Sequence, residues 1–168
     1  AFVTVTLGRR LIVWGGHPAI TPMIWTTAED LGVSYSQCVH LFQSKFFDSM
    51  FPAENSHFNN VTYVDAVPND RDASLTRMRL EMLKSHAFEA AVFIGGMEGV
   101  FEELAVFQRL HPNASIIPIA SAGGAALEIS QNLQSSLTNP DPSIDYIGIF
   151  HNSLKIAPDE PRQATARI

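Results

Sequence analysis

Three times along this chain a short apolar run ends in paired glycines and passes into helical spacing. Leu11-Ile12-Val13-Trp14 leads to Gly15-Gly16, Ala90-Ala91-Val92-Phe93-Ile94 to Gly95-Gly96, and Ser115-Ile116-Ile117-Pro118-Ile119-Ala120 to Gly123-Gly124. An unbroken apolar run bounded by glycines is what a strand buried on both faces of a parallel sheet needs. Repetition of strand, glycine turn and helix start is far more restrictive than any one instance. It predicts an α/β chain with a Rossmann-like open, mainly parallel sheet and helices on both faces.

The middle repeat is the most informative. After Gly95-Gly96-Met97-Glu98-Gly99, Phe101, Leu104, Ala105 and Phe107 fall at helical spacing. Glycines let the backbone turn sharply and let a ligand approach, and the helix that follows turns free N–H groups and its positive dipole end toward the loop. An anionic or phosphorylated small molecule is the expected guest. Glu98, Glu102 and Glu103 lie in the loop and first turn, where acidic side chains also complement the helix dipole.

Around these repeats the chain reads in order. In Ala1 to Leu7, Val3, Val5 and Leu7 alternate like a strand but also suit the end of a helix closed by Gly8, the favoured reading, and a helix running to about Leu31 follows Gly15-Gly16-His17-Pro18-Ala19-Ile20-Thr21-Pro22, a second set of backbone donors. Gln37 to Gln43 is a strand, Ser44 to Phe51 a short helix or loop whose phenylalanines belong to the core, and Asn55 to Asn60 an exposed connection. Val61 to Val64 is the next strand. Asp70 or Asp72 caps a helix from about Ala73 to His86, with Leu75, Met78, Met82 and Leu83 as its apolar stripe. Pro118 marks an edge or irregular strand position, and Ser121-Ala122-Gly123-Gly124 opens a helix to about Leu133. Gln134 to Pro142 is a connection, Ile144 to Ile156 a last helix, and Pro158 onward an exposed tail. The 168 residues read as one domain, with its core at about 10–133 and a C-terminal helix and tail at 143–168.

Composition removes several functions. A net charge of −6 provides no basic face, so neither DNA nor RNA is an expected partner. The lone Cys38, read as a buried strand residue, excludes an internal disulfide and any multi-cysteine metal site, and the six histidines stand singly without HxxxH or HExxH. No metal and no resident cofactor are expected. GxGxxG, GxxxxGK[ST] and GxSxG are all missing, which argues against a dinucleotide oxidoreductase, a P-loop NTPase and an α/β-hydrolase. No apolar run approaches the ~20 residues that span a bilayer, and no secretory leader is legible, so the expected location is cytoplasmic and away from membrane.

Ile94-Gly95-Gly96-Met97-Glu98-Gly99-Val100-Phe101-Glu102-Glu103 resembles the PGGxGTxxE signature of the LOG proteins, with one residue inserted between glycines. The GGMEG and GGHPAITP loops are closer still to those of sensor members of the SLOG superfamily, the SMF/DprA–LOG group. Several such members accompany TIR or other effector domains in bacterial conflict systems and are thought to bind nucleotide-derived signals. The resemblance covers most of Arg10 to Glu128, and because such relatives have a strand and helix before this point, sequence upstream of Ala1 is expected.

This resemblance implies a nucleotide or nucleotide-derived ligand in a glycine-lined cleft beyond the carboxyl ends of the strands. Its expected contacts are Gly15, Gly16, His17, Asp70, Arg71, Arg79, Gly95, Gly96, Met97, Glu98, Gly99, Glu103, Ser121, Gly123 and Gly124. A homo-oligomer and a fused or adjacent effector are the implied partners. The alternative is a LOG-like nucleoside 5'-monophosphate phosphoribohydrolase. There Glu103 or Glu98 would assist N-glycosidic cleavage, and Arg79, matched by counting back from the glycine loop, would orient the phosphoribosyl group. Ile94 in place of proline, Val100 in place of threonine and the inserted residue favour the sensor.

Overall fold

The computed structural model describes residues 1–133 and 145–164. The chain is α/β and Rossmann-like, and its contacts divide it into two compact units, residues 1–82 with 146–168 and residues 83–145. In the first unit β1 (Ile12–Gly15), β2 (Val39–Ser44) and β3 (Asn60–Val64) form a parallel sheet in that order, pairing Trp14 with Leu41 and Phe42 with Thr62. In the second, β4 (Ala90–Ile94) pairs in parallel with β5 (Ser115–Ile119).

Parallel strands need crossovers, and helices supply them. α1 (Phe2–Thr6) ends at Leu7 before Gly8, as its sequence predicts. α2 (Thr21–Leu31) places Ile24 and Ala28 against Ile12, Val39 and Leu41 in the core of the first unit. α3 (Arg71–Lys84) buries Met78, Met82 and Leu83, and Asp70 accepts from the Ala73 N–H at 2.9 Å, the cap expected there. α4 (Gly99–Leu110) and α5 (Gly124–Asn132) serve the second unit, where Phe93, Ala126 and Ile129 form the buried cluster. α6 (Tyr146–Ser153) sets Phe150 edge-on to Phe2, with ring centroids 5.3 Å apart. The connection read at Gln134 to Pro142 lies outside the described residues.

Four expectations need correction. Strand β4 is not buried on both faces: only Phe93 is buried, and Ile94 is exposed. Cys38 is buried but ends a 3-10 segment, Val33–Cys38, before β2 begins. The stretch from Asn55 is not simply exposed, since it lies in a 3-10 turn, Ala53–His57, with Asn55 and Phe58 buried. Phe46, Phe47 and Phe51 are only half-buried, because the 3-10 segment Lys45–Met50 carries them past the sheet edge without burying any of its residues.

Nor is the segment after Pro158 a loose tail. Arg162 donates to the carbonyls of Leu7 and Thr4, Arg9 Nε donates to the Glu160 carbonyl at 2.7 Å, and Arg10 pairs with the Glu160 carboxylate. The Gln163 N–H donates to the Gly8 carbonyl at 2.6 Å. The last carbonyls of a helix have no intrahelical donors, and this segment supplies them to α1. Desolvation, and after it the neighbouring Arg9, pulls the Arg162 guanidinium below its ordinary pKa.

Candidate functional site

The three glycine loops differ in what their amides are doing. In the first, nearly every donor is already used. Gly16 N–H bonds to the Phe42 carbonyl, and the N–H groups of Ile20 and Thr21 both bond to the His17 carbonyl. His17 N–H donates to Thr21 Oγ1 at 3.1 Å, and Ala19 N–H donates to His17 Nδ1 at 3.2 Å. Pro18 has no N–H. The loop is therefore a closed turn whose amide donors are engaged within the first unit. What it presents is the exposed His17 ring, whose Nδ1 accepts, leaving Nε2 as the donor of the neutral tautomer.

Thr21 is what closes this turn. Fully buried at the start of α2, its hydroxyl also accepts from Trp14 Nε1 at 3.2 Å. Beside the loop lies a polar pair that the sequence did not single out. A Cβ on Gly16 would stand 2.0 Å from Gln43 Nε2, so that carboxamide occupies the space that only glycine leaves open. Gln43 in turn donates to Asn55 Oδ1 at 3.4 Å, both residues are buried, and Asn55 Nδ2 has no partner among the described residues. Turning both amides over merely moves the spare atom from nitrogen to oxygen. The signal in the sequence was a glutamine following Leu41 and Phe42 near the end of β2.

The second and third loops are joined. Ala125 N–H and Ala126 N–H, in the first turn of α5, donate to the carbonyls of Gly96 and Gly95, each at 3.0 Å. The amides at the start of α5 are thus spent on the neighbouring loop, and Gly123 N–H bonds to the Ala120 carbonyl. Ser121 is half-buried between β5 and these glycines. With their carbonyls held by α5, Gly95 and Gly96 adopt positive φ, 66° and 91°.

The amides of this second loop are differently disposed. Among the described residues, the N–H groups of Gly96, Met97 and Glu98 have no protein acceptor, while the Met97 and Glu98 carbonyls receive Val100 and Phe101 of the first turn of α4. Met97 is 84% exposed. Glu98 stands at the helix N-cap with an exposed side chain that caps nothing. Glu102 is exposed as well, whereas Glu103 is half-buried. Consecutive amides without protein acceptors leading into a helix N-terminus are the kind of donor group that suits phosphate or carboxylate.

Of the remaining expected contacts, Asp70 is committed as the cap of α3. Arg71 is exposed, 3.0 Å from Asp72, with its guanidinium 6.0 Å from the Phe47 ring centroid. Arg79 is half-buried on α3, one helical face away from the Arg77–Glu81 pair. Asp70, Arg71 and Arg79 belong to the first unit with Gly15, Gly16 and His17; Gly95 to Gly99, Glu103, Ser121, Gly123 and Gly124 belong to the second. No helix among the described residues is long and apolar enough to cross a membrane.

Neither the curated proteins nor the solved structures provide a match to this chain. A family model does: that of the SLOG cluster3 family aligns with residues 1–154, a span that takes in both units and all three glycine loops. With nearly the whole chain matched, and with an α/β framework whose glycine turns follow parallel strands, the protein belongs to the SLOG cluster3 family.

Proposed function

We propose that the Gly95–Gly99 loop binds the phosphate of a nucleotide or nucleotide-derived signalling molecule, and that the chain acts as the sensor domain of a bacterial conflict system. The observation that carries this reading is the row of unpaired amides at Gly96, Met97 and Glu98 ahead of α4, on a loop whose carbonyls are anchored by α5. Membership of an SLOG family supports a nucleotide-related ligand. The departures from the LOG signature at Ile94, Val100 and the extra loop residue support binding over turnover. A sensor of this kind works through its differential affinity for two states of an oligomer or of an attached effector.

One observation favours hydrolysis as a second reading. Glu103 is partly shielded from water just past the first turn of α4, unlike Glu98 and Glu102, and a general acid or base gains from that environment. The two readings separate cleanly. Wild-type protein is incubated with nucleoside monophosphates, NAD and cyclic ADP-ribose, with calorimetry for binding and chromatography for released base. Binding without release is the expected result, and Glu103→Gln should alter affinity only. Release that Glu103→Gln abolishes while binding persists would establish the hydrolase. Failure of every nucleotide to bind would reject both.

A saturating ligand should also raise thermal stability. At a hundred times its Kd the gain is about 2.7 kcal/mol. Melting curves over a ligand series therefore check the same proposal independently of any chemistry.

A further inference from the structure

Strand β3 is the outer strand of its sheet. Among the described residues its backbone pairs with β2 alone, and along such a pair alternate residues turn their N–H and C=O groups away from the neighbour. Asn60–Val64 therefore aims a row of donors and acceptors outward. Edges of this kind are ordinarily blunted by a lysine, a proline or a bulge that turns other strands away. β3 has none of these: its register with β2 is continuous, and none of its residues is charged. Tyr63 is 44% exposed and meets Phe51 at a tilt, ring centroids 5.4 Å apart, and Met50 beside Phe51 is exposed as well.

Two features say what completes this edge. The first is charge. A chain of net charge −6 repels its own copies over most of its surface, so two copies approach best along an uncharged stretch. From Asn55 to Val64 there is no Asp, Glu, Lys or Arg. The second is symmetry. Laid antiparallel on itself about a two-fold axis through Thr62, the strand sets Thr62 opposite its own copy, Val61 opposite Tyr63 and Asn60 opposite Val64. Threonine pairs and aromatic–β-branched pairs are favourable cross-strand combinations, and no like charges meet. A two-fold interface has to be self-complementary in this way.

We propose that β3 is a dimerisation edge: two copies of this chain join β3 to β3, antiparallel and in register at Thr62, so that one sheet runs through both first units. The dimer stands apart from the glycine-loop reading and uses none of its residues.

Sedimentation velocity over a concentration series is expected to show a reversible dimer for the wild-type chain. Tyr63→Lys places a lysine on the edge at an exposed position and removes the Tyr63–Val61 pair twice over. It should weaken the dimer about tenfold or more while circular dichroism shows an intact fold. Cross-linking with diamide reads the register. Thr62→Cys brings two thiols to the axis, within the ~4.4–6.8 Å Cα separation that a disulfide spans, and should cross-link readily. Tyr63→Cys should not, because its copy lies two positions along the facing strand, roughly 7–8 Å away. Cys38 is buried and does not compete. A wild-type chain that stays monomeric throughout the series would overturn the proposal and leave the edge to a strand of another protein. A dimer that persists in Tyr63→Lys, or Thr62→Cys cross-linking no faster than Tyr63→Cys, would overturn it by putting the contact elsewhere.

Discussion

Gly124→Ala is expected to lower the melting temperature by roughly 5–15 °C, corresponding to about 2–4 kcal/mol, and to abolish binding at the Gly95–Gly99 loop. Gly124 has φ +54°, and a Cβ there would stand 2.3 Å from the Gly96 carbonyl oxygen. That oxygen belongs to backbone, so no side-chain rotation relieves the clash. It is also the acceptor for Ala125 N–H, the bond that ties α5 to the glycine loop. Moving it would release the adjoining amides from the arrangement the ligand needs. Gly123→Ala is the control: φ is +70°, yet nothing lies within 4 Å of its Cβ, so only backbone strain applies. With ψ at −162° that strain is expected to cost about 1–3 kcal/mol. Differential scanning calorimetry of the two variants separates clash from strain, and equal melting shifts would show that the Gly96 contact does not matter.

Ending the chain after Ala157 should cost about 3–5 kcal/mol, from several charge-assisted bonds discounted for their partial exposure. The removed segment supplies Arg162 to the carbonyls of Leu7 and Thr4, Gln163 N–H to Gly8, and Glu160 to Arg9 and Arg10. It also covers Cys38, whose thiol donates to the Gln163 carbonyl at 3.4 Å. Burial raises the Cys38 pKa, and a backbone hydrogen bond at Gly8 only partly offsets it. In the folded chain the thiol is therefore protonated at neutral pH and inert. The linkage has one sign: the raised pKa contributes stability that is fully present below the unfolded thiol's pKa and is lost as pH rises through the folded value. Thiol labelling at neutral pH should be slow in the full chain and fast after truncation. Equal labelling rates would mean that the segment does not cover α1 and Cys38.

Periodicity determined much of this protein. The apolar runs ending at Trp14, Ile94 and Ala120, each followed by glycines, specified strands, turns and helix starts within a residue or two, because strand burial and positive-φ turns are local demands that local residues must meet. Asp70 as the cap of α3 was legible for the same reason. The glycine loops at Gly15 to Pro22 and Gly95 to Gly99 also carried enough pattern to point to the SLOG superfamily, of which the matched family is a part. Three matters were decided only by tertiary structure. Whether a loop's amides are free depends on distant acceptors: Phe42 and Thr21 consume those of the first loop, and α5 holds the carbonyls rather than the amides of the second. The polar pair Gln43 and Asn55 comes together only when β2 and the turn at 53–57 fold against each other. The phenylalanines after β2 read as core because hydrophobicity is a property of the residue, but burial is a property of what packs over it. Past the end of that strand the described residues leave Phe46 and Phe47 half-buried.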